Sequence, residues 1–362
     1  MDIITEILNR EEMSHRDITT ILNINKDSDL ERLYKKGFEV KQENLGNRVF
    51  LRGIIEFSNV CSKNCYYCGI RRDNRAVERY TLSDEEIIKE AEFAYNSGYG
   101  SIVLQSGEKK SEEFIDRVQM LVRRIKEISE RNLGITLSLG EQSIETYRKW
   151  FEAGAHRYLL RIETSNPELY ASLHPEDHDF SVRLSALKDL RETGYQVGTG
   201  MMIGLPGQSL DDIASDIELM RDMDIDMVGM GPYIPHSQTP LAESAGVFDE
   251  ERKRRQVELS LKCIACVRLL LKDVNIAATT ALQALDPFGR EKGIEAGANV
   301  IMPNVTAGEY REGYKLYDDK PCVNENSEMC KNCLDKRIKG TGAEIGYNQW
   351  GDSPHYFKRG LV

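Results

Sequence analysis

The most reactive arrangement in the chain is CSKNCYYC (61–68), which places Cys61, Cys65 and Cys68 in one short run. Three thiolates this close can each ligate one iron of a 4Fe–4S cluster, because every iron of the cube needs one external ligand. No fourth cysteine stands nearby, so one iron is left open to a small chelating molecule. The competing readings are a zinc site and three incidental thiols. Zinc prefers four ligands in paired Cys/His spacing, and neither a His nor a fourth Cys is close. Incidental thiols scatter, whereas the eight cysteines here fall into three groups, at 61–68, 263–266 and 322–333.

The other groups carry weaker chemistry. Cys263 and Cys266 lie three apart in LSLKCIACVRLLLK, an apolar helical run where a free cysteine behaves as a small hydrophobe, so core filler is expected. Cys322-x7-Cys330-x2-Cys333 has spacing that suits a 2Fe–2S or another Fe–S cluster, or zinc. It lies in a tail rather than at a strand end, and a non-catalytic role is expected. His156, His236 and His355 have no carboxylate or Ser partner at triad-like spacing. GLPGQ (204–208) lacks the Lys-Ser/Thr ending of a phosphate loop.

The elements that must position the first cysteines alternate from about residue 49. Strand-like runs are Val49–Asn59, Ser101–Gly107, Ile135–Gly140, Arg157–Thr164, Gln196–Leu205, Met227–Ile234, Asn275–Leu282 and Asn299–Asn304. They are short, apolar and rich in Val and Ile or edged by Gly, as strands buried on both faces are. Periodic helical stretches separate them. TLSDEEIIKEAEFAYNSG (81–98) has Ser83 as N-cap, carboxylates in its first turn and Gly98 past its end. SLDDIASDIELMRDMD (209–224) has the same build, and a long helix is expected at about 249–271.

Eight strands with seven intervening helices give an α/β chain with the strand count of a complete (β/α)8 TIM barrel. A doubly wound open sheet alternates in the same way and is the competing fold. Residues 1–48 are expected to form a helical cap, 49–304 the barrel, and 305–362 an irregular tail holding the last three cysteines. CSKNCYYC follows the first strand directly. QSGE (105–108), RIET (161–164) and GLPGQ (204–208) stand at the C-terminal ends of later strands, where barrel enzymes place their active sites.

Composition narrows the partners. The net charge is −11, and an acidic chain repels phosphate backbones and anionic lipid, so nucleic acid and membrane are not expected. No stretch approaches the roughly 20 apolar residues that cross a bilayer. The N-terminal residues, MDIITEILNREEMSHRD, lack the basic lead and apolar core of a secretory signal. A cytoplasmic location is expected.

The x3 then x2 cysteine spacing, with aromatic Tyr67 before the third Cys, resembles the signature of the radical S-adenosylmethionine (SAM) superfamily. In closer detail, RGIIEFSNVCSKNCYYCGIRRDN (52–74), YTLSDEEI (80–87), IVLQSGE (102–108), TLSLGE (136–141), RYLLRIET (157–164), GLPGQ, DMVGMGPYIPH (226–236), ATTA (278–281) and GANVIMPN (297–304) look like the HydE family of FeFe-hydrogenase maturases. The match covers about 50–333, and that family's fold is a complete TIM barrel.

The resemblance implies that SAM chelates the open iron through its amino and carboxylate groups. An electron from the cluster then cleaves the sulfonium, and the 5′-deoxyadenosyl radical acts on a small substrate inside the barrel. It implies that Gly107 leaves space while Glu108 binds the SAM amino group, and that Glu163 and Arg183 hold its ribose and carboxylate. Glu163 and Arg183 could equally be a structural ion pair. Gly204 and Gly207 would let backbone approach the adenine or sulfonium side, and Tyr67, Ser138 and Leu205 join the same cofactor set.

The implied substrate is an organometallic iron unit with CO, cyanide and a cysteine ligand, attacked at the cysteine sulfur. Arg52, Arg161, Thr279, Thr280, Met302 and Tyr310 are expected to line its cavity. An inward Arg is costly unless it meets an anion, and Thr279–Thr280 could be ordinary strand packing. Met230 and Met302 could be core filler. The tail cysteines match the family's optional second cluster. A low-potential ferredoxin or flavodoxin and other hydrogenase maturases are the implied partners.

One departure is Ile162, where the family's best-known members have His. The alternatives are biotin-synthase-like or methylornithine-synthase-like chemistry, or maturation of a different iron cofactor. Biotin synthase should carry cysteines on middle strands, and this chain has none between 68 and 263. A methylornithine-type enzyme should lack the tail cysteines.

Overall fold

Aliphatic runs bounded by Gly and polar turns form the strands that their pattern predicts, mostly shorter than expected. The computed structural model describes residues 2–322 and 327–360, and of residues 327–332 the backbone alone. Its strands are β1 (Arg48–Ser58), β2 (Ser101–Ser106), β3 (Gly134–Ser138), β4 (Arg157–Leu159), β5 (Gln196–Thr199), β6 (Met202–Ile203), β7 (Met227–Val228), β8 (Gly231–Pro232), β9 (Asn275–Ile276), β10 (Val300–Ile301) and β11 (Glu344–Ile345).

Eight of them make a curled parallel sheet in the order β10-β1-β2-β3-β4-β5-β7-β9, with β11 added beside β1. β6 and β8 pair with each other beyond β5 and β7. A parallel bridge, Ala277 to Val300, lies between the two ends of the path. There the Ala278 N–H donates to the Val300 carbonyl at 2.9 Å, and the Asn299 N–H to that of Ile276 at 3.0 Å.

Of the expected strands that end early, three do so for a clear local reason. The run from Arg157 stops at Leu159, and Glu163 beyond it takes φ 66°, a left-handed backbone that a strand cannot continue through. The run from Gln196 breaks at Gly200, where the Gly229 carbonyl approaches so closely that a Cβ would lie 1.9 Å from it. The run from Asn275 ends at Ile276, and Thr280 opens the helix Thr280–Leu285. Thr279 and Thr280 are therefore a helix start and not strand packing.

The expected helices form at Asp84–Asn96, Leu210–Asp222 and Glu250–Leu270. Ser83 and Glu86 close a reciprocal capping box on the first of these. Helices also occupy Ile3–Leu8, His15–Leu22 and Asp27–Leu45. The last packs on Glu250–Leu270 so closely that a Cβ on Gly37 would lie 3.3 Å from the Ala265 Cα, and 2.4 Å from the Ala296 carbonyl oxygen at the end of the helix Gly289–Glu295. Cys263 and Cys266 are fully buried in the main apolar core, as expected.

The N-terminal end of the sheet is stoppered by residues 350–353. The Gly351 carbonyl accepts from Arg52 Nη2 at 3.0 Å and Asn275 Nδ2 at 2.9 Å, and the Ser353 N–H donates to Gln196 Oε1 at 3.1 Å. Arg157 is fully buried there. It pairs with Asp352 and donates to Ser101 Oγ at 2.6 Å and Thr136 Oγ1 at 3.0 Å. Among the described residues, no helix is long and apolar enough to cross a membrane.

Candidate active site

The loop after β1 is shaped from both sides. Asn59 donates through Nδ2 to the carbonyls of Glu78 and Gly313, each at 2.7 Å, while its Oδ1 accepts from the Tyr80 N–H at 2.8 Å. Arg79 then ties the far end back. Its guanidinium donates to the carbonyls of Asn59 (2.6 Å), Ile70 (2.9 Å), Arg71 (2.7 Å) and Asn74 (3.1 Å). Four carbonyls on one planar fork fix the backbone on both sides of Cys61, Cys65 and Cys68.

Gly107 closes the other wall. A Cβ there would sit 2.5 Å from the Val60 oxygen and 2.7 Å from the Cys61 Cβ. The next N–H, of Glu108, points at Cys61 Sγ at 3.3 Å. The Ser62 N–H and hydroxyl return to the Glu108 carbonyl, both at 2.9 Å.

The donor set fits an iron–sulfur cluster. Burial pushes Cys65 up to about 12 and Cys68 well above its usual range, each raised further by the charge of the neighbouring thiols. Three half-buried thiols within each other's field stay protonated unless a metal centre displaces the protons. An N–H already aimed at Cys61 Sγ is a group that tunes such a centre.

Around the loop lies a charged network. Glu108 is buried, and its Oε2 accepts from the Glu141 N–H at 2.9 Å. Its Oε1 has no hydrogen-bond partner and stands 3.4 Å from Lys110 and 3.8 Å from Lys63. Burial raises the Glu108 carboxyl. Glu141, also buried, binds Arg183 Nε at 2.6 Å and Lys63 at 2.8 Å. Burial alone would raise its carboxyl, and the two cations hold it down to about 2.

The competing reading of Glu163 and Arg183 as an ion pair with each other is not what forms. Arg183 pairs with Glu141, while Glu163 Oε2 lies 2.8 Å from Arg161 Nη2, outside hydrogen-bond geometry. Glu163 is 7% exposed, and burial raises its carboxyl. Its left-handed backbone is strained for a non-glycine residue, a cost that functional sites tolerate.

Beside the loop a second apolar cluster packs Leu169, Leu173, Met202, Leu205, Tyr233 and Leu241 together, with Tyr66 and Tyr67 against it. The Tyr67 hydroxyl stands 3.4 Å from His174 Nε2. The hydroxyls of Tyr170 and Tyr233 are buried without partners. Gly204 takes φ 80°, but its N–H already donates to Gln208 Oε1 at 2.8 Å, so the GLPGQ turn satisfies itself. Ser138 ends β3, paired in register with Gln105.

The residues expected around a substrate separate. Thr280 and Met302 line a cavity of about 80 Å³ together with Glu56, Lys320, Cys322 and Cys333. Thr279 Oγ1 is buried and unpartnered beside Gly231. Arg161 donates to the Met201 carbonyl at 2.8 Å.

Arg52 lines an interior cavity of about 20 Å³ together with Met302, and its guanidinium meets the Gly351 carbonyl (3.0 Å) and the Met227 sulfur (2.9 Å). Tyr310 lines a different groove: its hydroxyl donates to Glu86 at 2.7 Å, and its ring lies 5.1 Å from that of Tyr80. Ile162 is fully buried in the main apolar core.

Cys322 and Cys333 face one cavity, while the Cys330 side chain lies outside the described residues. Sequence reasoning missed Lys63, Arg79, Glu141 and Lys320. Of these only Glu141 carried a signal, a carboxylate directly after Gly140 at the end of a buried strand.

The family model described as Radical SAM superfamily matches residues 55–220. The chain is 44% identical to the FeFe-hydrogenase maturase subunit HydE of Thermotoga maritima, covering 98% of each chain. It is 30% identical to 3-methylornithine synthase of Methanosarcina acetivorans, over 92% of this chain and 90% of that one. The solved structure of methylornithine synthase (PylB) superimposes with TM-score 0.82 over all of both chains, at 26% identity. The maturase HydG of Carboxydothermus hydrogenoformans shares the fold, with TM-score 0.77 at 21% identity over 95% of this chain and 79% of that one. The chain belongs to the radical SAM superfamily, within its HydE family, and is an enzyme that works with a 4Fe–4S cluster and SAM.

Proposed function

We propose that this enzyme carries out the HydE step in building the FeFe-hydrogenase cofactor, acting on an Fe(CO)2(CN)–cysteine unit at the cysteine sulfur. The observation that carries this reading is the end-to-end match to HydE at 44% identity. In it, the curled sheet works as a complete barrel, 49–304, with 1–48 as a helical cap and 305–362 as a tail. Cytoplasmic location and work alongside other hydrogenase maturases belong to the same reading.

Cys61, Cys65 and Cys68 would hold the cluster. Tyr67, Gly107, Glu108, Ser138, Glu163, Arg183 and Leu205 would form the SAM site, with Glu141 setting the position of Arg183. When bound, the cluster and SAM supply one-electron cleavage of the sulfonium to a 5′-deoxyadenosyl radical. The chain's own residues orient and shield. The Glu108 oxygen that lacks a hydrogen-bond donor suits an ammonium group, Arg183 suits a carboxylate, and the apolar cluster excludes water from the reacting face. Arg161, Thr279, Thr280 and Met302 would meet the substrate. The Cys322, Cys330 and Cys333 set would hold a second Fe–S cluster away from the chemistry.

A second reading, methylornithine-type chemistry, is favoured by the 0.82 TM-score over the whole chain. The tail cysteines weigh against it. The test is activation of an apo FeFe-hydrogenase by purified maturases with and without this chain. Activation that requires the chain is expected, and it should vanish with Cys65→Ser. Activation indifferent to the chain, while SAM is still cleaved, would favour the second reading.

A further inference from the structure

The Tyr170 side chain is 1% exposed, yet its hydroxyl has no hydrogen-bond partner among the described residues. A buried hydroxyl in that state costs stability, and a phenylalanine would fill the same space without the cost. The residue sits on the helix Pro167–Leu173. Its ring is stacked on His174, with centroids 4.0 Å apart, and lies against Phe180 at 5.0 Å. Its carbonyl accepts from His174 Nδ1 at 2.8 Å. That bond puts the imidazole proton on Nδ1 and leaves Nε2 to face the Tyr67 hydroxyl at 3.4 Å. Packing on two rings holds the phenol in place, and the direction of its hydroxyl is held with it.

The surroundings of that hydroxyl are charged. Arg183, Glu141, Cys65 and Glu163 all lie in its field, and burial, ahead of these charges, pushes the phenol above its usual range. Its proton therefore stays on at neutral pH, and the group can donate. Phe180 and Arg183 stand one turn apart on the helix Phe180–Thr193. Arg183 is already engaged: Nε binds Glu141 at 2.6 Å, and Nη1 donates to the Arg161 carbonyl. Its charge is thus partly answered before any ligand arrives, and a carboxylate seated beside it needs a further donor.

We propose that the Tyr170 hydroxyl is a binding group for SAM, donating to the methionine carboxylate beside Arg183. The proposal rests on the reading of Arg183 and its neighbours as the SAM site. An O–H donor needs an acceptor, which the ammonium of SAM is not. The carboxylate is the anionic acceptor that a guanidinium draws to this side of the site. The cost of leaving the hydroxyl unpaired in the empty protein is recovered only when the cofactor is seated, so the residue favours the loaded state.

The test uses the reconstituted full chain and its Tyr170→Phe variant, titrated calorimetrically with SAM, with the amine analogue of SAM that lacks the carboxylate, and with 5′-deoxyadenosine. The variant should bind SAM about tenfold more weakly and the other two ligands as the unaltered protein does. Iron per chain should be the same for both proteins. Without SAM the variant should unfold at no lower a urea midpoint, because an unsatisfied hydroxyl has been removed. Unchanged SAM affinity would overturn the proposal. So would an equal loss for SAM and its amine analogue, which puts the contact off the carboxylate, or a loss for 5′-deoxyadenosine, which puts it on the nucleoside. A lower midpoint together with less iron would assign Tyr170 to packing and reject the binding role. No SAM binding by the unaltered protein would instead remove the SAM-site reading itself, and this proposal with it.

Discussion

Arg79 donates to four backbone carbonyls that span the cysteine loop, and its charge lies in the field of Cys61 and Cys68. A hydrogen bond from a charged donor contributes about 1.5–3 kcal/mol. Arg79→Met should therefore loosen the loop by about 2 kcal/mol or more, lowering iron bound per chain after reconstitution. Arg79→Lys keeps the charge without the fork and should restore only part of the iron, because one ammonium cannot reach four carbonyls. Glu141 acts at the same scale through Arg183. Glu141→Gln removes the carboxylate charge paired with the guanidinium and should weaken SAM binding by about tenfold, roughly 1.4 kcal/mol, as read by calorimetric titration.

At the scale of elements, the turn after β2 depends on a missing side chain. Gly107→Ala drives a Cβ into the Val60 carbonyl and Cys61, atoms that cannot swing aside. The expected result is loss of the cluster's visible absorption with the fold retained, checked by circular dichroism beside iron analysis.

Much of this level was readable in the chain. The cysteine spacing is covalent, and Ser83–Glu86 capping and the buried strands are written in short local patterns. What could not be read are contacts between separate strand ends. Lys63, Glu108, Glu141 and Arg183 come from four segments, and nothing local to RIET said that Arg161 would occupy Glu163 or that Arg183 would turn to Glu141. Thr279–Thr280 misled because Thr favours strands, while the chain there begins a helix. For Arg52 the chain showed an inward arginine but not that a carbonyl about 300 residues away would be one of its partners.

At the scale of the whole molecule, the C-terminal stopper makes the distant ends of the chain interdependent. Arg157 is fully buried and its charge is answered by Asp352. Asp352→Asn leaves that charge without a counter-ion and should cost about 3 kcal/mol or more, seen as a lower midpoint in urea. His355 contributes with a different pH dependence. Hydrogen bonding to Asp273, and then to Asp224, raises its imidazolium from 6.5 to about 9. The folded form binds the proton more tightly than the unfolded one, so this contribution is complete below pH 6.5 and lost as pH rises towards 9. Unfolding midpoints should decline across that window, and His355→Gln should flatten the decline.

The seal at residues 350–353 has a further consequence for traffic. In the proposed closed barrel, a base sealed in this way leaves entry and exit to the opposite end, where the cysteine loop stands. Spent nucleoside and finished cargo would then back out past the same side chains that admitted them. Exchange is therefore sequential, and an accumulated product competes with the next arrival for passage as well as for the seat.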